Sequence, residues 1–257
     1  MKRKVTKAVI TCGGYATRFL PIAKSVPKEM LPIWDKPVIH YIMQELVDAG
    51  ITDVLILVGR GREILQNYFD RNYEIDDYMG TANALKLNPF EGKVNIYYRR
   101  VPMPRGAADN ILHAKAWVGN EPFIVAYSDD VFFEGNPSAE LIREYTKHGR
   151  VSLSACEVPP ESAHNYGVIF KNKIIEKPKK PMSNYIACGR YLMKPEVFEE
   201  IEKQSVASAT QVCMVKCLNH LDFRAVKTGA KRFDVGVPSG LFLANLYYSQ
   251  DVQGKRV

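Results

Sequence analysis

Two hydrophobic patterns alternate along the first 130 residues of the chain. Short, largely apolar runs are typical of strands in a buried sheet, and they occur at residues 7–12, 53–58, 94–98 and 122–127. Between these runs, apolar residues recur every three or four positions, which predicts helices over residues 37–49, 62–69 and 107–118. Strands that alternate with helices indicate crossover connections and therefore a mostly parallel sheet.

The pattern changes after residue 130, where strand-like runs follow one another and are broken by proline and glycine. We predict strands over residues 151–158, 168–175 and 186–192, and helices over residues 138–147, 205–220 and 239–249. No linker is long enough to separate independent domains. The expected fold is α/β, with a Rossmann-like, mostly parallel mixed sheet flanked by helices and a smaller antiparallel or mixed part. We expect a single domain over residues 1–257, made of halves 1–135 and 136–257.

Charge and composition narrow the classes of function. The 35 Lys and Arg residues exceed the 28 Asp and Glu residues and give a net charge of +7, which favours anionic partners. These cations are scattered and form no basic stripe, so the sequence argues against nucleic-acid binding. No apolar run reaches the ~18 residues of a membrane span, and the apolar stretch near the N-terminus is shorter than a signal peptide requires. We therefore expect a cytoplasmic protein that does not contact a membrane.

Polar residues follow two of the predicted strands, at positions suited to ligand binding. Gly13-Gly14 ends the first strand and is followed by the cations Arg18 and Lys28. Glycine backbone N–H groups and nearby cations together suit phosphate oxygens. Asp129-Asp130 follows the strand at 122–127, and paired carboxylates that face a phosphate loop suit Mg²⁺. Ligands of open parallel sheets bind at the carboxyl ends of the strands, which is where these residues lie.

Each of these features alone also fits a plain turn or a helix cap. Their joint occurrence at strand ends favours a polyphosphate site. The sequence contains neither the P-loop pattern G-x-x-x-x-G-K-[ST] nor the dinucleotide pattern G-x-G-x-x-G, so neither of these standard fingerprints accounts for it.

The chain resembles sugar-1-phosphate nucleotidyltransferases in the stretch GGYATRFLPIAKSVPKEMLPIWDKPVIHYI. Its PKEMLPI-DKP portion has the form found in the bacterial UTP–glucose-1-phosphate uridylyltransferases of that family. Further stretches resemble the same subfamily in the same order: FDRNYEIDDY, VGNEPFIVAYSDDV, EVPPESAHNYGVI, IIEKPKKPMSNYIACGRYLMKPEVF and RFDVGVPSGLFLANLYY. The resemblance is nearly full-length and implies the nucleotide-diphospho-sugar transferase fold.

The resemblance implies a nucleotide site in the first half of the chain. Gly13-Gly14 would cradle the nucleoside and phosphates with their backbone. Arg18 and Lys28 would be the catalytic cations that grip the triphosphate as pyrophosphate leaves, and Glu29 would lie beside the base. Asp129 would hold Mg²⁺ next to the nucleotide.

The resemblance also implies a sugar-phosphate site in the second half. Gly167 and Glu176 would bind glucose hydroxyls, Lys177 would contact the sugar phosphate, and Gly189 would line the same pocket. Asp234 would be the second Mg²⁺ ligand. The implied reaction is direct attack of glucose 1-phosphate on the α-phosphorus of UTP, in line with departing pyrophosphate and without a covalent intermediate. Relatives of this kind form homodimers or homotetramers.

The sequence departs from the family pattern at four places. The family loop G-L-G-T-R has Tyr15 and Ala16 here in place of leucine and the second glycine. Arg100 replaces a glutamine that reads uracil, and an arginine cannot accept a hydrogen bond. G-L-G-H-A becomes residues 106–110, GAADN, beginning with the nucleotide-contacting Gly106 and similar to the G-T-A-D-A of adenylyl-transferring relatives. E-I-Q-L-T-D-A becomes residues 209–215 without its acids.

Two alternatives accommodate these departures. The first is the same chemistry with dTTP, CTP or ATP in place of UTP, or with another sugar phosphate. The second is a weakly catalytic paralogue that binds nucleotide sugars or regulates a partner enzyme. The presence of both implied metal carboxylates, Asp129 and Asp234, favours an active enzyme.

Overall fold

The computed structural model describes residues 3–80, 87–103, 105–207 and 212–252. Its strands, in chain order, are β1 (Lys7–Cys12), β2 (Pro32–Ile33), β3 (Lys36–Pro37), β4 (Asp53–Val58), β5 (Asn95–Arg100), β6 (Phe123–Tyr127), β7 (Asp130–Phe133), β8 (Val151–Glu157), β9 (Gly167–Phe170), β10 (Lys173–Glu176), β11 (Tyr185–Met193), β12 (Phe223–Lys227) and β13 (Lys231–Asp234). Its α-helices are α1 (Val38–Asp48), α2 (Glu63–Phe69), α3 (Tyr73–Met79), α4 (Ala107–Leu112), α5 (Lys115–Val118), α6 (Pro137–His148), α7 (Glu196–Ala207), α8 (Met214–Leu218) and α9 (Pro238–Tyr247).

A mixed sheet of nine strands forms the centre of the part described. Its main path runs β10-β9-β11-β6-β1-β4-β5, and β8 joins β11 to β12. The four strands from β6 to β5 are parallel, as the sequence predicts, while β11 runs antiparallel to both β6 and β8. Because β11 is antiparallel to β6, the residues that precede Arg190 on β11 lie at the edge where β1 and β6 end. Residues of both halves of the chain therefore meet at one edge of the sheet.

The two faces of the sheet carry separate hydrophobic clusters. On β1, Ala8, Ile10 and Cys12 belong to one cluster and Val9 to the other, because successive side chains of a strand point to opposite faces. Helix α1 places Ile39, Ile42, Met43 and Leu46 on the first face, where all four are buried. Pro37 precedes this helix and Gly50, with a φ of +85°, follows it; proline and glycine are common at these two ends of helices.

Several predicted elements match the structure closely and three do not. Strands β1 and β4 have the predicted bounds. The helix predicted over residues 107–118 is instead two helices, because i→i+3 bonds from His113 N to Asn110 O and from Ala114 N to Ile111 O tighten the chain between them. The strand predicted over residues 168–175 is the hairpin of β9 and β10, which turns at Lys171 and Asn172 with positive φ.

The helix predicted over residues 205–220 is not continuous where the structure describes it, although residues 205–207 and 214–218 are helical. Helix α7 ends at Ala207, and α8 begins only after Cys213, whose backbone is extended. Residues 209–211, which contain part of the departure from the family pattern, lie outside the described residues. The sequence patterns did not predict β2, β3, α3, β7, β12 or β13, nor the part of α7 before residue 205. Among the helices described, none is both long and apolar enough to cross a membrane.

Candidate active site

A cavity of about 560 Å³ opens at the sheet edge where β1, β6 and β11 meet. Residues from both halves of the chain line it. They include seven that the sequence predicts as site residues: Arg18, Asp129, Gly167, Glu176, Lys177, Gly189 and Asp234. The fold thus brings the predicted metal carboxylates, one predicted phosphate cation and the predicted sugar-phosphate residues around one space.

The loop after β1 forms one wall of this site. Gly13 is buried, Gly14 is exposed, and Arg18 follows in a short 3₁₀ turn, Thr17–Phe19. Ala16 replaces the second glycine of the family loop, and its φ of 51° and ψ of 39° are left-handed. This conformation costs a non-glycine residue about 1–2 kcal/mol. The loop therefore keeps the backbone shape that a glycine would adopt, although alanine occupies the position.

Lys28 lies below the loop, and its side chain is only 9% exposed. It belongs to a 3₁₀ turn, Lys28–Met30, and its Nζ contacts Oδ1 of Asp129. Burial lowers the pKa of Lys28 from its ordinary value, against the opposing effect of the nearby Glu29 carboxylate. A weakly solvated cation of this kind interacts strongly with any anion that replaces its present partner.

Glu29 is fully buried and is held by two side chains. Ser128 Oγ donates to its Oε1 at 2.9 Å, and Arg62 Nη1 lies 3.4 Å from its Oε2. The same Arg62 donates from Nη2 to the carbonyl oxygen of Gly14 at 2.7 Å. Arg62 therefore links the buried Glu29 to the backbone of the glycine loop. Sequence reasoning missed Arg62, although the run Gly-Arg-Gly-Arg directly after β4 was a visible signal.

The two predicted metal ligands face each other across Gly236. A Cβ added to Gly236 would lie 3.0 Å from Oδ2 of Asp129 and 3.1 Å from Oδ1 of Asp234. Strand β13 pairs with β7 so that Asp234 lies opposite Asp130, which explains how residues more than 100 positions apart meet. Asp130 itself is buried and accepts from Arg232 Nε at 2.6 Å.

These residues fit a divalent cation that takes further ligands from elsewhere. The described residues contain no group of three or more His, Cys, Asp or Glu side chains that could hold a metal by themselves. Mg²⁺ characteristically takes one or two protein carboxylates and completes its coordination with water and substrate phosphates. Oδ2 of Asp129 and Oδ1 of Asp234 lie 3.0 and 3.1 Å from the position that a Cβ on Gly236 would take, so both carboxylates border the same small space, as that requirement demands.

Arg232 balances the negative charges of Asp130 and Asp234, with which it forms ion pairs. Burial by itself would lower the pKa of Arg232, but the carboxylates of Asp130 and Asp234 outweigh burial and raise it. The guanidinium also lies over the ring of Tyr166, 4.7 Å from its centroid. Neither Arg232 nor Tyr166 was predicted from the sequence, although each lies within two residues of a predicted site residue.

The predicted sugar-phosphate residues come from β9, β10 and β11. Glu176 pairs with Gly167 in the β9–β10 hairpin, and a Cβ on Gly167 would lie 3.5 Å from Oε2 of Glu176. Lys177 has a φ of 43° and donates its backbone N–H to the carbonyl oxygen of Tyr166 at 3.0 Å. Gly189 allows the closest approach, since an added Cβ would lie 2.5 Å from Oδ2 of Asp130.

A fully buried arginine supports this edge of the sheet from below. Arg190 is 0% exposed and pairs with Glu45 of α1, with Nη2 and Oε2 2.9 Å apart. Its guanidinium also donates to the carbonyl oxygens of Tyr127, Gly189 and Asp130 at 2.9–3.0 Å. The arginine within the otherwise apolar run of β11 was a signal that sequence reasoning did not use.

Six of the predicted site residues do not line this cavity: Gly13, Gly14, Lys28, Glu29, Arg100 and Gly106. Arg100 lines a separate cavity of about 380 Å³ together with Arg60 and Arg62. Gly106 is the residue directly before α4 and has a φ of 108°. In the GAADN stretch, Asp109 is buried and accepts from Arg105 at 2.7 Å, so its carboxylate is already engaged by its own chain.

Comparison with known proteins agrees with this geometry. The family model described as nucleotidyl transferase matches residues 7–251. The chain is 34% identical over 271 aligned positions to UTP–glucose-1-phosphate uridylyltransferase 2 of Streptococcus pyogenes, covering 96% of this chain and 91% of that protein. Among solved structures, UDP-glucose pyrophosphorylase complexed with UDP-glucose superimposes with a TM-score of 0.86 at 30% identity, covering 96% of this chain and 99% of the other.

A second structure, the UTP-bound UGPase from Acinetobacter baumannii, superimposes with a TM-score of 0.86 at 26% identity and covers 98% of both chains. The family match spans nearly the whole chain, and the similarity to the streptococcal protein extends over almost its full length. The chain is a nucleotidyltransferase and belongs to the nucleotidyl transferase family.

Proposed function

We propose that this chain transfers the uridylyl group of UTP to glucose 1-phosphate and forms UDP-glucose and pyrophosphate. The observation that carries this proposal is the shared cavity of about 560 Å³, in which Arg18, Asp129 and Asp234 meet Glu176 and Lys177. Similarity to UTP–glucose-1-phosphate uridylyltransferases supports the choice of substrates. The donor and the acceptor would enter one space from its two sides, as a direct transfer requires.

In this proposal the nucleotide occupies the side of the cavity formed by the first half of the chain. The backbone of Gly13-Gly14 and the cations Arg18 and Lys28 contact the triphosphate. The base lies toward Glu29 and Gly106. Arg100 has donors alone, so we assign it to a carbonyl oxygen of uracil.

The sugar phosphate occupies the opposite side. Gly167, Glu176 and Gly189 face the glucose hydroxyls, and Lys177 contacts the phosphate. A carboxylate can accept from two hydroxyls at once, whereas a glycine allows the sugar to approach the backbone. The close contact of Gly189 with Asp130 links this pocket to the acidic centre.

The protein accelerates the reaction by alignment and by charge. The phosphate oxygen of glucose 1-phosphate attacks the α-phosphorus of UTP while pyrophosphate leaves on the opposite side. Arg18 and Lys28 stabilise the negative charge that grows on the departing pyrophosphate, and the burial of Lys28 strengthens its effect. A divalent cation held by Asp129 and Asp234, which we propose to be Mg²⁺, would neutralise phosphate oxygens when bound.

We also propose that residues 1–257 act as a single catalytic unit in the cytoplasm and that the unit is a homodimer or homotetramer. Support for self-association comes from α9, on which Phe242, Leu243 and Leu246 are 67%, 53% and 41% exposed. Exposed apolar side chains clustered on one helix are typical of interaction surfaces. Light scattering coupled to size exclusion measures the mass, and a monomer at micromolar concentration would overturn this assignment.

The activity is tested by pyrophosphate release from UTP and glucose 1-phosphate in the presence of Mg²⁺, with the wild type beside Lys28→Met. We expect turnover by the wild type and a loss of about 30- to 1,000-fold in the variant, equivalent to roughly 2–4 kcal/mol of barrier. A chain that binds UDP-glucose in calorimetry but releases no pyrophosphate would instead be a binding paralogue.

A further inference from the structure

The two carboxylate oxygens of Asp234 have different surroundings. Oδ2 accepts a hydrogen bond from the Tyr166 hydroxyl at 2.9 Å and lies 3.6 Å from Nη2 of Arg232. Oδ1 accepts from the backbone N–H of Gly236 at 3.1 Å and lies on the side that faces Asp129. One oxygen is therefore tied back by two side chains, and the other is turned toward the opposite carboxylate.

Arg232 is itself held firmly in place. Its Nε and Nη2 both lie 2.6 Å from Oδ1 of the buried Asp130, and its side chain is only 10% exposed. The guanidinium stacks over the ring of Tyr166. Because Asp130 fixes Arg232 and Arg232 packs on Tyr166, the two groups that contact Oδ2 of Asp234 support each other.

Tyr166 also connects this arrangement to the sugar-phosphate side. Its carbonyl oxygen accepts the backbone N–H of Lys177 at 3.0 Å, while its hydroxyl donates to Asp234. The same residue therefore orders a proposed phosphate contact through its backbone and a proposed metal ligand through its side chain. It does so from the end of the turn that precedes β9, Pro160–Asn165.

We propose that Tyr166 and Arg232 are positioning residues that hold the carboxylate of Asp234 so that it forms, with Asp129, the site for a divalent cation. This inference rests on the proposed function and names the residues that shape its metal site. Tyr166 and Arg232 act through Asp234: the Tyr166 hydroxyl is engaged by that carboxylate, and the Arg232 guanidinium is engaged by Asp130. Outer partners of metal-binding carboxylates restrict their orientation, and their loss typically weakens metal binding by about 10- to 100-fold.

The test measures metal affinity directly. Free Mn²⁺ is followed by electron paramagnetic resonance as it is titrated with the full chain, without nucleotide, for the wild type and for Tyr166→Phe. The substitution removes one hydroxyl and keeps the ring beneath Arg232. We expect the dissociation constant for Mn²⁺ to rise by about tenfold or more. Tyr127→Phe removes another hydroxyl from a residue that lines the same cavity, one that makes no hydrogen bond with Asp129 or Asp234; it should leave the Mn²⁺ affinity within about twofold.

Pyrophosphorolysis of UDP-glucose supplies the second measurement. In Tyr166→Phe the Mg²⁺ concentration for half-maximal rate should rise in parallel with the Mn²⁺ dissociation constant, and kcat at saturating Mg²⁺ should recover to near the wild-type value. Recovery by excess metal separates positioning of a ligand from general damage to the fold. Arg232→Lys keeps the positive charge beside Asp130 but lacks the planar fork of a guanidinium. It should likewise raise both the Mn²⁺ dissociation constant and the Mg²⁺ concentration for half-maximal rate.

The outcomes are distinguishable. Unchanged Mn²⁺ affinity in Tyr166→Phe, with an active wild type, overturns the positioning role and leaves the proposed function intact. A loss of kcat that excess Mg²⁺ does not restore also overturns it, since Tyr166 would then act on substrate. An inactive wild type that still binds Mn²⁺ would reject the proposed function alone.

Discussion

Removing the negative charge of Glu45 tests how the structure supports its site. Arg190 is 0% exposed, and its Nε and Nη2 donate to the carboxylate of Glu45 at 2.9–3.1 Å. Glu45→Gln keeps the shape of the side chain and one acceptor oxygen, but it leaves a buried guanidinium without the carboxylate that pairs with it. The same guanidinium holds the carbonyl oxygens of Tyr127, Gly189 and Asp130, so the strain falls on the edge that carries the site.

The expected magnitude is large. Breaking a buried ion pair by removing one partner costs about 3–5 kcal/mol, because the remaining charge stays desolvated. Domains of this size lose roughly 2–4 °C of melting temperature per kcal/mol, so the midpoint should fall by about 6–20 °C. The free energy of unfolding of most proteins is only about 5–15 kcal/mol, which makes this one substitution a major fraction of the total.

Urea denaturation followed by circular dichroism gives the free energy of unfolding for the wild type, Glu45→Gln and a matched control. The control is Glu202→Gln, which breaks a surface pair with Lys115 at 2.6 Å whose side chains are 46% and 50% exposed. An exposed pair contributes about 0–1 kcal/mol. Equal losses in Glu45→Gln and Glu202→Gln would show that burial of the ion pair makes no difference to its contribution, contrary to this prediction.

Three further predictions concern pH and the acidic pair. Burial lowers the pKa of Lys28 from 10.5, so kcat/KM should decrease as the pH is raised, at a pH below 10.5 where Lys28 loses its proton. Lys28→Arg should move this decrease to higher pH; a decrease at the same pH in both proteins would contradict the prediction. Burial lowers the pKa of His40 from 6.5 to about 4. Between pH 6.5 and pH 4 the unfolded chain therefore binds a proton at His40 that the folded chain does not, so the free energy of unfolding should decrease as the pH drops through this range. His40→Gln should make that decrease smaller. Gly236→Ala inserts a Cβ between Asp129 and Asp234, 3.0 and 3.1 Å from their oxygens, and should lower kcat by roughly tenfold to 100-fold; wild-type kcat would show that the two carboxylates do not act together.

The parallel half of the fold was predictable because its signals are local. The apolar run of β4 and the periodicity of α1 each arise within a dozen residues, and both elements have nearly the predicted bounds. The break between α4 and α5 was not predicted. It depends on i→i+3 hydrogen bonds from the N–H groups of residues 113 and 114, whereas the apolar periodicity of the sequence continues through these residues without interruption. Strand β13 was missed for a related reason, since only its pairing with β7 defines it.

The candidate site divides in the same way. Residue type and strand position placed Arg18, Lys28 and Asp129 near phosphate chemistry, and resemblance to a family placed Glu176 and Asp234. The supporting residues were not found, because their roles depend on contacts between distant segments. Arg190 and Glu45 are 145 positions apart, and Tyr166 and Asp234 are 68 positions apart. No pattern within a short stretch of sequence records such pairs.

Uridylyl transfer to glucose 1-phosphate can be examined by comparing kcat/KM for pyrophosphate release with UTP, dTTP, CTP and ATP, side by side, at saturating glucose 1-phosphate and Mg²⁺. We expect UTP to have the highest value and UDP-glucose to accumulate in step with pyrophosphate. A higher value for dTTP, CTP or ATP would keep the mechanism but contradict the assigned donor. Absence of release with all four nucleotides would contradict the assigned reaction.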